Sequence, residues 1–249
     1  MKVVVDLDRV VADTNSLKDD AMRACVEAGV CTEEEYKKEY AAWSAEVRNT
    51  DHIADLPLEE QKSKVSWIEG FVSQLAHATG ADETMLRGIH RDALTRVKPF
   101  AGVIELLKRI SKNDLYIVTA GGDIDQNLKL HALGIGDVVL HDHIAIVPAK
   151  DKETFKTLFD YWKFTESERI IHINARAEEF TEQILAHERT ICIQPLWGWA
   201  RKDRYEAPNA PPHYDVETVR ECAIVLEHQM SLPEGALYPM GEILGKVGM

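Results

Sequence analysis

Cysteine is scarce in this chain: four in 249 residues, at positions 25, 31, 192 and 222. With no CxxC pair and no dense spacing, a disulfide framework is excluded, and free thiols in a reducing cytoplasm are the expected state. No stretch approaches the roughly 18 apolar residues of a membrane-spanning helix. The start lacks a charged-then-apolar secretory leader, which again points to the cytoplasm. Positive charge is in deficit: 29 Lys and Arg against 42 Asp and Glu leave a net charge of −13. Such a balance argues against binding nucleic acid or an anionic membrane, while leaving room for a local positive pocket. No GxGxxG follows any apolar run, so a dinucleotide fingerprint is absent. There is also no internal repeat and no low-complexity tract. Apolar content of 45% and charged content of 29% are those of an ordinary soluble protein.

What the chain does have is an unusual opening, VVVDLDRVV over residues 3 to 11. The valines read as a buried strand, yet Asp6 and Asp8 interrupt it. Alternation along a strand sends both carboxylates to the same side. Two like charges there are costly unless something positive is held between them.

From residue 14 to about 95 no strand pattern recurs. The segments NSLKDDAMRACVEAG, TEEEYKKEYAAWSAEVRN, LEEQKSKVSWIEGFVSQLAHATG and DETMLRGIHRDALTR are helix-prone. Thr32 with Glu35 suggests a capping box, and Gly29 and Gly80 suit helix ends. Beyond this block helices alternate with strands: LYIVTA, then short strands within VVLHDHIAIVP, then ERIIHINA, with RTICIQP as the last clear one. LWGWARKDRYEAPNAPPHYD reads as a long loop before a final helix, VETVRECAIVLEHQM. The pattern predicts an α/β fold, a doubly wound parallel sheet of Rossmann type with an inserted helical cap. The core comprises residues 1–14 and 95–249, and the cap residues 15–94.

In such sheets ligands bind beyond the carboxyl ends of the strands. The first strand delivers Asp6 and Asp8 there, the second Thr119, the segment before a helix Lys150, and the fourth strand Asn174 with Glu178 and Glu179 a turn later. An acid pair, a hydroxyl, an ammonium and further oxygen donors suit binding of a phosphate and Mg²⁺.

The order and spacing of these residues resemble the haloacid dehalogenase (HAD) superfamily, in its phosphatase branch. DxD stands as Asp6-Leu7-Asp8, the strand-closing hydroxyl as Thr119 in IVTAGG, and the lysine before a helix as Lys150 in PAKDKETF. The resemblance implies a Mg²⁺-dependent hydrolase of a small phosphomonoester, working through an aspartyl-phosphate. Asp6 would be the nucleophile and Asp8 the acid and base. Thr119 and Lys150 would hold the phosphoryl oxygens, and Ala120 and Gly121 would bring backbone N–H groups to them. Mg²⁺ would be held by Asp6, the carbonyl of Asp8, Asn174 and Glu179 (or Glu178), and would offset the repulsion of the opening acid pair. The fourth motif, HINARAEEF, departs from the family pattern of Gly-Asp followed by a second Asp. Asn174 in place of an acid removes one negative charge, so weaker metal affinity is expected.

Two alternatives stay open: a catalytically weakened binding or regulatory protein, and a metal-independent 2-haloacid dehalogenase. The expected partner is a small phosphorylated substrate, with a homo-oligomer left open. His141-Asp142-His143 reads as polar surface rather than a metal site, and His172 as a core or edge histidine. Trp197 and Trp199 either line a substrate entrance or cover the sheet edge. In the cap, Tyr36, Tyr40, Trp43, Arg48 and Trp67 are candidates for selecting the substrate.

Overall fold

The computed structural model describes residues 1–48, 53, 55–197 and 214–233; the side chains of Arg48, Ala177 and Glu178 lie outside that description. Trp199 also falls outside it. Six strands form one parallel sheet: β1 (Lys2–Val5), β2 (Leu115–Ala120), β3 (Ile144–Val147), β4 (Ile170–Ile173), β5 (Thr190–Pro195) and β6 (Tyr214–Val216). Their order is β3-β2-β1-β4-β5-β6, and every pairing is parallel. The chain thus starts in the middle, builds outward to one side, then returns and builds to the other. The strand order reverses between β1 and β4, the place where such sheets open a ligand crevice.

Strands buried on both faces must be largely apolar on both, hence the runs VVV and LYIV and, broken only by the buried His172, IIHI. Val3 and Val5 belong to one core with Leu115, Ile117, Ile171 and Ile173. Val4 belongs to a second core with Tyr116, Val118, Phe155 and Phe159. The helices that cover the sheet are α6 (Val103–Leu107), α7 (Asp123–Ala132), α8 (Lys152–Tyr161), α9 (Ala177–Ala186) and α10 (Val219–Ser231).

Between β1 and α6 the chain runs through α1 (Thr14–Glu27), α2 (Glu33–Arg48), α3 (Leu58–Val65), a π-turn at Trp67–Phe71, α4 (Val72–Thr79) and α5 (Glu83–Thr95). It leaves and re-enters through two paired linkers: Asp13 N–H donates to the Lys98 carbonyl at 3.0 Å and Phe100 N–H to that of Val11 at 2.9 Å. The Thr32–Glu35 capping bonds are present, and Gly80 ends α4 in a left-handed conformation with φ 71°.

Three expectations need correcting. The segment 58–80 is not one helix: Ser66 breaks it with extended backbone, and its hydroxyl accepts from Glu69 N–H, starting a new turn. Residues 141–143 of VVLHDHIAIVP form a 3₁₀ turn, and only Ile144–Val147 is a strand. Tyr214–Val216, of which Tyr214 and Asp215 are read as loop and Val216 as the start of the final helix, is a sixth strand on β5, and the helix starts at Val219. No helix among the described residues is long and apolar enough to cross a membrane.

Candidate active site at the sheet switch point

Asp6 follows β1 directly, and its N–H donates to the Ile173 carbonyl at the end of β4 at 2.9 Å. Asn174 follows β4, so the two residues flank the switch point. The Asp6 side chain is buried, and Oδ1 accepts from Leu7 N–H and from Lys150 Nζ, each at 2.7 Å. Lys150 Nζ also lies 2.8 Å from Glu179 Oε2. Asp151 sets this lysine's height in the site by capping α8, its carboxylate accepting from Thr154 N–H at 2.7 Å. Burial opposes the Lys150 ammonium, but Asp6 and Glu179 outweigh it and hold its pKa above the ordinary value. Burial pushes the Asp6 carboxyl above the ordinary range, Glu179 and Asp8 adding to the effect and Lys150 opposing it.

Asp8 has a lysine of its own. Lys129 Nζ, on α7, lies 2.6 and 2.8 Å from the two oxygens of Asp8. Burial alone would raise the Asp8 carboxyl; Lys129 outweighs burial and holds it below the ordinary range. The repulsion implied by the opening sequence is therefore relieved by two ammonium groups, one per aspartate. Sequence reasoning missed Lys129, which reads as part of a solvated helix face. Its signal was an ammonium between Leu128 and Leu130, one helical turn after Asp125 and Gln126.

Gln126 was missed as well, and it ties the second motif together. Its amide nitrogen donates to the Ala120 carbonyl at 2.9 Å and to Asp8 Oδ2 at 3.3 Å, while its oxygen accepts from Thr119 Oγ1 at 3.1 Å. Thr119 is fully buried. Gly121 does not offer its own N–H to a ligand, since that group donates to the Val147 carbonyl at 2.9 Å. Its φ of 148° serves a different need: a Cβ there would stand 2.5 Å from the Gln126 amide nitrogen. Glycine at 121 makes room for Gln126.

The fourth motif is a closed network. Asn174 is fully buried; its Nδ2 donates to Glu179 Oε2 at 2.6 Å, and its Oδ1 accepts from Arg176 N–H at 3.0 Å. Arg176 lies 3.5 Å from Glu179 Oε1. Burial works against the Glu179 carboxylate, but Lys150 and Arg176 hold its pKa below the ordinary value. Glu178 falls outside the described side chains; Glu179 reaches the site, in contact with Lys150 and Asn174.

For a divalent cation the available donors are limited. The bonds to Asp6 fall on Oδ1, and Asn174 Oδ1 has one lone pair beyond its bond to Arg176. Both Glu179 oxygens are engaged by Lys150, Asn174 and Arg176. Among the described residues no cluster of three or more Asp, Glu, His or Cys is arranged to hold a metal. This donor set suits a Mg²⁺ that completes its shell with water and substrate oxygens, and does not suit an all-protein cage.

The remaining candidates are elsewhere. Tyr36 and Trp67 are buried, and Tyr40 and Trp43 pack on Phe71, so these four build the core of the helical insertion. Arg48 lies outside the described side chains. His143 stacks on Tyr116 with centroids 4.0 Å apart. His172 is fully buried, and its pKa is driven to about 3 by burial and by Lys150. Trp197 Nε1 donates to the Val10 carbonyl at 3.1 Å, against the loop that follows Asp8.

No protein-family model matches the chain, and no curated protein sequence matches it. Solved structures do. YfnB of Bacillus subtilis, described as a HAD-hydrolase bound to magnesium, is 16% identical, with 93% of this chain and 98% of that one covered and a TM-score of 0.64. A Thermotoga maritima protein described as a beta-phosphoglucomutase is 17% identical, with 92% and 99% covered and a TM-score of 0.61. The L-2-haloacid dehalogenase of Xanthobacter autotrophicus, solved with chloropropionic acid covalently bound, is 12% identical, with 91% and 98% covered and a TM-score of 0.63. The chain has the haloacid dehalogenase fold, as its four short motifs suggested.

Proposed function

We propose that the protein hydrolyses a small phosphomonoester, with Asp6 as the nucleophile. The observation that carries this reading is the state of Asp6. It sits at the switch point with Oδ1 fixed by Lys150 and Leu7 N–H, and a second carboxylate, Asp8, follows two residues on with its own ammonium. Fixing one oxygen orients the other toward an incoming ester and leaves it little freedom to lose.

In the first half-reaction Asp6 Oδ2 attacks phosphorus and the bond to the ester oxygen breaks. The leaving alcohol takes its proton from the Asp8–Lys129 pair. In the second half, water attacks the phosphorus, the Asp8 carboxylate takes a proton from that water, and the bond to Asp6 breaks. Lys150 balances negative charge on the phosphoryl oxygens throughout, and Thr119 is the hydroxyl beside them. Mg²⁺, held by Asp6, the Asp8 carbonyl and Asn174, would supply further neutralisation of the phosphoryl group. The insertion between residues 15 and 94 acts as a cap that limits access of water to the site.

Two observations favour other readings. Asn174 in place of an acid, and the capture of Asp8 by Lys129, suit an Asp6 that attacks carbon without a metal, as in 2-haloacid hydrolysis. The same pair of features suits a protein that binds its ligand and turns it over slowly or not at all. Product release separates the three. Phosphate freed from an aryl phosphate, faster with Mg²⁺, supports the proposal. Chloride freed from 2-chloropropionate without metal would replace it with carbon–halogen hydrolysis, and no product from either panel would favour the binding protein.

A further inference from the structure

The helix break at Ser66 has its partner in the α/β core. Asp125, in the first turn of α7, is buried. Its carboxylate accepts from Ser66 Oγ and from Ile68 N–H, each at 3.2 Å, and from Trp67 N–H. These backbone donors are the ones that the extended conformation at Ser66 leaves free at the start of the π-turn. A carboxylate of the core thus caps a turn of the helical insertion, where its charge also meets the positive end of the peptide dipoles.

Two further contacts seat the same surfaces on each other. Lys62 Nζ, on α3, lies 2.9 Å from Asp123 Oδ2. Gly122, just before α7, has an ordinary φ of −72°, so its backbone does not require glycine. Its neighbour does: a Cβ there would stand 2.9 Å from the Ser66 Cα.

The same turn of α7 serves the reaction. Gln126, next to Asp125, bonds Asp8, Thr119 and the Ala120 carbonyl. Lys129, one turn on, pairs with both oxygens of Asp8. A helix of ten residues moves as a rod, so a displacement at Asp125 is passed on to Gln126 and Lys129. A misplacement of about 1 Å costs roughly 100-fold in a positioned reaction.

We propose that Asp125 is a positioning residue: by docking the insertion on α7 it holds Gln126 and Lys129 in place against Asp8. This rests on the phosphomonoester reading and adds to it a mechanical tie between the insertion and the acid that serves the leaving group.

Three variants cut the tie at different points. Asp125→Asn acts from α7, Ser66→Ala from the insertion, and Gly122→Ala wedges the two apart. Amide exchange followed by NMR reads the effect without turnover. The Trp67 and Ile68 amides are expected to exchange about tenfold faster in Asp125→Asn and about threefold faster in Ser66→Ala. The Gln126 side-chain amide, bonded to Asp8, is expected to lose protection with them. Faster exchange at Trp67 and Ile68 with Gln126 unchanged would reduce Asp125 to a helix cap and overturn the inference, as would unchanged exchange at all three. Ser66→Ala, outside α7, keeps the test decisive if Asp125→Asn folds poorly.

Kinetics read the same tie. In Asp125→Asn, kcat on an alkyl phosphate is expected to fall about tenfold, against less than about twofold on an aryl phosphate with an acidic phenol. In a Lys129→Met background Asp125→Asn should add little to that difference, because it acts through Lys129. Equal losses on both esters, or losses that add in the double variant, overturn the inference. A chain that releases phosphate from no ester would overturn the phosphomonoester reading, and the exchange data would then decide the docking role by themselves. Phosphate release with an unaltered ester preference and unaltered Gln126 exchange would do the reverse.

Discussion

Lys129 and Asp8 form a two-point ion pair, with Nζ 2.6 and 2.8 Å from the two carboxylate oxygens, and the lysine side chain is almost wholly buried. Removing one partner of such a pair leaves the other charge without compensation. Lys129→Met is therefore expected to reduce kcat on alkyl phosphates by roughly 10- to 100-fold, since Asp8 loses its fixed orientation. Aryl phosphates, whose leaving oxygen needs less protonation, are expected to lose much less. Stability is expected to fall by about 1–3 kcal/mol. In Asp8→Asn/Lys129→Met the combined stability loss should be smaller than the sum of the single losses, as read by urea denaturation.

Asn174 and Glu179 set the second expectation. The Asn174 amide donates to Glu179 Oε2 at 2.6 Å in a fully buried position. Asn174→Asp replaces that donor with a carboxylate facing a carboxylate. Without metal the variant is expected to be less stable than wild type by about 1–3 kcal/mol. Mg²⁺ should raise its melting temperature more than that of the wild type, because the added charge strengthens the cation site. Equal Mg²⁺ stabilisation of both proteins would mean that residue 174 is not a ligand.

His90, in the core of the helical insertion, gives a pH-dependence. Nδ1–H donates to the Leu86 carbonyl at 2.8 Å and Nε2 accepts from Tyr36 Oη at 3.0 Å, so the neutral ring has both nitrogens satisfied. Burial drives its pKa from 6.5 to about 4. Between those values the unfolded chain binds a proton that the folded chain refuses, so this contribution to stability is lost as pH falls. The loss amounts to about 3 kcal/mol by pH 4. Denaturation midpoints of wild type and His90→Gln across that window check it: the wild-type midpoint should fall more steeply with acid.

Much of this was legible in the sequence, for a physical reason. Asp6, Thr119, Lys150 and Asn174 lie at the ends of apolar strands or just before a helix, where a polar residue stands out against its surroundings. Lys129 and Gln126 are charged or polar residues on a helix that also has an exposed face, and nothing local separates a side chain turned inward from one that is solvated. Tyr214–Val216 is too short, and too close to a proline-rich stretch, to register as a strand before its neighbour β5 is known. Ser66 could have been read as a break, since a serine three residues before Glu69 is a cap pattern, but the surrounding helix-formers masked it. The two lysines that pair with Asp6 and Asp8 come from elements distant in sequence, so their share in relieving the repulsion of the acid pair was not legible beside it.

The most direct test of Asp6 as nucleophile is chemical trapping of a phosphorylated carboxylate. Rapid quenching during turnover of an aryl phosphate, borohydride reduction and peptide mass spectrometry should find homoserine at position 6 in the wild-type chain, and Asp6→Asn should release no phosphate. An unmodified Asp6 under steady turnover, together with an Asp6→Asn variant that hydrolyses the ester at the wild-type rate, would contradict the mechanism.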